Sequence, residues 1–175
     1  MKKRFAAMML AMGLALTACG GGAKTDGGAA SGDAATEVGK DAGGYTFEVD
    51  GNKVSIGVEA EPVLDELGEP LSYYEAESCA FGDLDKVWTY NGYTIYTYQV
   101  KEVDYIYDIV ISSDAVSTPE GVSIGDAVDD VKEAYGDPEK EDDGQLVYRK
   151  GEMRLIFLVS DGKVSSIDYQ SSILE

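Results

Sequence analysis

Histidine is absent from the 175 residues, tryptophan occurs once, cysteine twice and proline four times. Without histidine there is no Ser-His-Asp or Cys-His nucleophile system, and the usual zinc and copper ligand sets are missing. Basic residues are scarce as well, 14 against 33 acidic ones for a net charge of -19. A chain this acidic repels a phosphate backbone, which excludes nucleic acid as a partner. No apolar run reaches the roughly 20 residues that a bilayer-spanning helix takes.

What is present begins at the amino terminus. Lys2, Lys3 and Arg4 form a positive segment, Phe5 to Leu16 an apolar one, and Leu16-Thr17-Ala18-Cys19 follows with small residues just before the cysteine. That order is a processing signal. The tetrapeptide resembles the lipobox of bacterial lipoproteins, which implies cleavage after Ala18 and a diacylglycerol on the thiol of Cys19. An ordinary secretory cut near Thr17-Ala18, leaving a free thiol, is the weaker alternative. Loss of the leader leaves 11 basic and 33 acidic residues, a net charge of -22. Anionic headgroups would repel such a body, so the expected membrane partner is reached through lipid on Cys19 alone. With Cys19 modified, Cys79 has no internal disulfide partner, so stability has to come from a core.

Residues 20–44 are dominated by Gly, Ala, Ser, Thr and Asp, with Val38 the one large apolar side chain. Such a stretch cannot bury enough surface to fold and reads as a tether spanning on the order of 25–30 Å. The expected organisation is a leader at 1–18, a lipidated tether at 19–44, and folded units at 45–115 and 116–175.

Those two units are suggested by an internal recurrence. Residues 56–70 align without gaps to residues 124–138, each position 68 later. Each copy reads as a short helix, at 59–67 and at 126–135. Acidic residues crowd the first turn, a glycine stands where a left-handed C-terminal cap is wanted, and Pro70 or Pro138 forbids continuation. Val63 and Leu67, like Val131 and Tyr135, share one helix face. Strands are predicted at 86–91, 93–100 and 104–112, and again at 145–150, 152–159 and 163–170. Asn91-Gly92, Lys150-Gly151 and Asp161-Gly162 mark their hairpins, and Asp50-Gly51 marks another within 45–56. The predicted fold class is α+β: two tandem repeats, each a short helix packed on its own antiparallel sheet of three or four strands.

The spacing Gly-x5-Val-x3-(Leu or Tyr)-Gly-x-Pro is carried by Gly57, Val63, Leu67, Gly68 and Pro70, and again by Gly125, Val131, Tyr135, Gly136 and Pro138. It resembles the repeat of SmpA/OmlA small lipoproteins and of tandem β-lactamase inhibitory proteins, and the whole chain resembles clostridial, Gram-positive lipoproteins. Its motif residues are structural, so the resemblance implies the fold and not the target. It departs from the inhibitors in lacking their disulfides, and from SmpA/OmlA in having two copies.

Leu71 to Val87 is longer than its counterpart in the second copy and brings in Tyr73, Tyr74, Cys79 and Phe81. Ser78 to Phe81 reads more readily as core than as a site, because free cysteine is among the most buried residue types. Trp88, Tyr90, Tyr93, Tyr96 and Tyr98 concentrate rings on one hairpin, and together with Tyr73 and Tyr74 they form the candidate binding surface. Strand alternation must send part of this set into the core instead. The acidic run Asp137, Glu139, Glu141, Asp142, Asp143 lacks the ligand period of a calcium loop and reads as a solvated loop, so no metal or cofactor is expected. Nothing marks a catalytic pair. The expected function is therefore a non-enzymatic binding module, held on the outer face of the cell membrane, that contacts a protein or a cell-wall component. Inhibition of an exported hydrolase is its sharper form. An assembly lipoprotein of an envelope complex is the alternative, and a wall-active enzyme comes last.

Overall fold

The computed structural model describes residues 43–77, 84–142 and 144–172. The leader, Cys19, most of the tether, Cys79, Phe81 and Asp143 lie outside the described residues, and with them the readings made of those positions. In chain order the elements are β1 (Phe47–Val49), β2 (Asn52–Val54), α1 (Ala60–Leu67), β3 (Ser72–Glu77), β4 (Leu84–Thr89), β5 (Tyr93–Val100) and β6 (Val103–Ile111). There follow α2 (Val128–Tyr135), β7 (Lys140–Asp142), β8 (Gln145–Lys150), β9 (Met153–Ser160) and β10 (Lys163–Ser171).

The expectation of two helix-on-sheet repeats is overturned. Strands from both parts of the chain form one antiparallel sheet in the order β3-β4-β5-β6-β10-β9-β8-β7, beside a separate β1-β2 hairpin, and the protein is mostly β. The seam is the pairing of Asp108 to Ile111 on β6 with Ile167 to Gln170 on β10. Two separate sheets would each leave a row of unpaired backbone donors and acceptors there, and would split the apolar side chains of Ile109, Ile111, Ile167 and Tyr169 between them. Pairing satisfies the first and merges the second into one core.

Beyond the seam the two central strands diverge, and each free edge is taken up by the loop before a helix. Ile106 donates to the Val58 carbonyl at 3.0 Å and accepts from Gly57 at 2.7 Å, while Val164 donates to the Asp126 carbonyl at 2.9 Å and accepts from Gly125 at 2.8 Å. One extra residue follows each of these anchors, Tyr107 on β6 and Ser165 on β10, where the register shifts. A bulge at that point bends the strand while its partner hydrogen bonds resume on either side.

α1 and α2 end alike. Gly68 has φ 77° and ψ -162°, Gly136 φ 79° and ψ -156°, and their N–H groups donate to Leu64 and Lys132 carbonyls. This is not the left-handed helical cap read from sequence but a neighbouring region open to glycine almost alone.

Both helices and the β1-β2 hairpin cover one face of the sheet. Phe47, Ile56, Ala60 and Val131 are fully buried there against Ile95, Ile109, Leu155, Phe157 and Ile167. Rings knit the layer: Phe47 meets Tyr93 at 5.1 Å and Tyr169 at 5.8 Å, and Tyr135 meets Phe157 at 5.2 Å. Among the described residues, no helix is long and apolar enough to cross a membrane.

Candidate functional site

Where β4 and β5 pass beneath α1, the helix covers the sheet incompletely and a cavity of about 670 Å³ remains. A strand sends alternate side chains to one face, so Trp88 and Lys86 of β4 rise into this space beside Gln99 of β5 and Asp104 of β6. α1 and the turn after it supply Glu61, Leu64, Asp65, Gly68, Glu69 and Pro70. The size suits a small ligand or a few side chains of a partner.

The floor is tied down from several sides. The indole N–H of Trp88 donates to the hydroxyl of the fully buried Thr97 at 3.2 Å, and the Tyr73 ring packs on Trp88 with centroids 4.4 Å apart. Tyr90 reaches under the end of α1, its hydroxyl donating to the Gly68 carbonyl at 3.2 Å, and stacks on Tyr93 at 5.0 Å. The Lys86 ammonium pairs with the Asp104 carboxylate at 2.7 Å, both side chains mostly buried. Gln99 donates to the other Asp104 oxygen at 3.5 Å. With Glu59 and Glu102 the lining holds six carboxylates and one cation, and that cation is already matched.

The aromatic residues singled out in the sequence do not form one surface. Trp88 and Tyr90 reach the cavity, with Tyr73 against the outer side of Trp88. Tyr93 is 5% exposed and belongs to the core. Tyr74 is exposed on the opposite face of β3, where Val87 is its pairing partner. Tyr96 and Tyr98 also lie on that opposite face, in ring contact with Tyr107. The motif residues Gly57, Val63, Leu67, Gly125, Val131 and Tyr135 serve packing and strand anchoring.

A second group of side chains went unremarked in the sequence. On the face away from the helices, Asp108 and Asp168 stand on the paired central strands. Burial raises the Asp108 pKa to about 7, the neighbouring Asp168 adding to it, and burial raises that of Asp168 as well. Arg154 donates to Gln170, and Gln170 to Asp108 at 3.3 Å, while the Ser166 hydroxyl donates to Asp168 at 2.7 Å. The other Asp108 oxygen is buried without a hydrogen-bond partner. In sequence these aspartates look like ordinary polar positions of half-exposed strands. Only the seam, which places β6 against β10, shows that they are enclosed.

The acidic run near 140 is not a plain loop. Lys140–Asp142 is the edge strand β7, laced by Lys132 to Glu141 at 2.8 Å and Arg149 to Glu139 at 3.3 Å. Among the described residues no three His, Cys, Asp or Glu side chains group as metal ligands would.

No known protein family matches the chain, and no curated protein matches it. Among solved structures it is similar to a DUF4309 family protein (YjgB) from Bacillus subtilis, with 14% identity, a TM-score of 0.46, and coverage of 72% of this chain and 87% of that one.

Proposed function

We propose that the protein is an exported lipoprotein, anchored through Cys19 on the outer face of the membrane, that acts as a non-enzymatic binding module for a protein or a cell-wall component. The cavity beneath α1 is the observation that supports this reading: a concave space of about 670 Å³ with a tryptophan in its floor. Rigid amphipathic rings in such a setting are the residues that dominate recognition. The leader and lipobox pattern supports the anchor, and the Gly-rich tether supports reach.

Capture experiments with the full chain test it. Crosslinking on cells followed by pull-down is expected to recover a discrete envelope partner, and Trp88→Ala is expected to reduce its recovery at least tenfold. Equal recovery with the Trp88→Ala chain, at equal amounts of folded protein, would remove the cavity as the contact site.

A further inference from the structure

We infer that the cavity beneath α1 takes a cationic group, the ammonium or guanidinium of a lysine- or arginine-bearing peptide segment. The inference deepens the binding-module reading and rests on it. Trp88 lines the floor, and an indole is the aromatic group on which cations are held best. Tyr90 and Leu64 complete a wall that sheathes an aliphatic stem while its head stays near polar groups, as long cationic side chains require.

Charge gives the sign. Lys86 is neutralised by Asp104 at 2.7 Å, so the remaining carboxylates of the lining, among them Glu61, Asp65 and Glu69, meet no cation within it. An anionic ligand would face all of them at once. A neutral sugar would gain stacking on Trp88 but leave the carboxylates unused. A cation uses both the ring and the rim.

Size agrees with this. A space of about 670 Å³ exceeds one side chain and suits a short segment with two or three residues engaged. Attraction between an acidic rim and a basic segment also speeds encounter, and is screened by salt.

Trp88 is the chain's one tryptophan, so intrinsic fluorescence reports on the cavity floor directly. The full chain, purified in detergent, is titrated with trilysine, triarginine, triglutamate and chitotriose at low and at physiological salt. Trilysine or triarginine is expected to shift Trp88 emission saturably, more tightly at low salt, with no response to triglutamate. Combined Glu61→Gln, Asp65→Asn and Glu69→Gln replacements at exposed positions are expected to weaken that binding at least tenfold while leaving unfolding curves unchanged. No saturable response to either cationic peptide, or equal affinity in the triple variant, overturns the inference. A response to chitotriose alone also overturns it, yet leaves the binding-module reading standing, since that depends on partner capture by Trp88.

Discussion

The Tyr148 hydroxyl donates to the Gly136 carbonyl at 3.0 Å, so that a strand tyrosine holds the end of the helix that packs above it. Tyr90 does the same for Gly68 at the other helix. Each bond satisfies a carbonyl at a helix end and fixes the exit direction of the chain. Tyr148→Phe or Tyr90→Phe is expected to cost about 0.5–1.5 kcal/mol in urea unfolding. Gly136→Ala meets no atom within 4 Å of the new Cβ, so its cost is torsional, about 1–3 kcal/mol. A neutral Gly136→Ala would show that the chain end relaxes freely.

Asp108 makes stability depend on pH with a defined sign. Its folded-state pKa of about 7 lies above the ordinary 3.8, so the folded protein holds this proton more tightly than the unfolded chain. Stability therefore falls as pH rises from about 4 to 7, and the full penalty applies above 7. Asp108→Asn is expected to match the parent near pH 4 and to exceed it by about 2–4 kcal/mol at pH 8. Denaturant curves across that range check this. A constant offset between the two proteins would contradict it.

The Lys86–Asp104 pair differs from the ion pairs at the protein surface because its side chains are 12% and 21% exposed. Removing one partner strands a charge in poor solvent, so Asp104→Asn is expected to cost about 1–3 kcal/mol. Breaking the exposed pair of Lys132 and Glu141 should change stability far less, because water already screens it. A double-mutant cycle on each pair measures the contrast directly. Equal coupling energies would mean that the cavity floor is as wet as the surface.

Cys19→Ser is expected to move the protein from the membrane fraction to the soluble exported fraction, read by fractionation and by loss of fatty-acid labelling. Retention of the Cys19→Ser chain in membranes would refute the lipid anchor.

Much of the local structure was legible from the sequence, because turns announce themselves. Asn91-Gly92 and Asp161-Gly162 do stand between paired strands, and the helices fall at Ala60–Leu67 and Val128–Tyr135, within a few residues of their predicted spans. The edge strands β3 and β7 were missed. Ser72–Glu77 and Lys140–Asp142 show little apolar alternation, since an edge strand buries little, and charge at an edge protects it from pairing with other chains. The single sheet was missed for a different reason. Ile111 and Ile167 are 56 positions apart, and no local pattern records which two β-strands will meet. The candidate site suffered accordingly: composition could nominate Trp88 and the tyrosines, but the split between cavity, core and opposite face follows from the register.

The seam between β6 and β10 also constrains when the body can form. β10 is the last described strand in the chain, yet it lies in the middle of the sheet, between β6 and β9. A nascent or partly threaded chain that ends before Lys163 has no partner for the β6 edge, and β7 to β9 have nothing to join. Closure therefore waits for Lys163–Ser171, so the sheet cannot be completed strand by strand as the chain emerges.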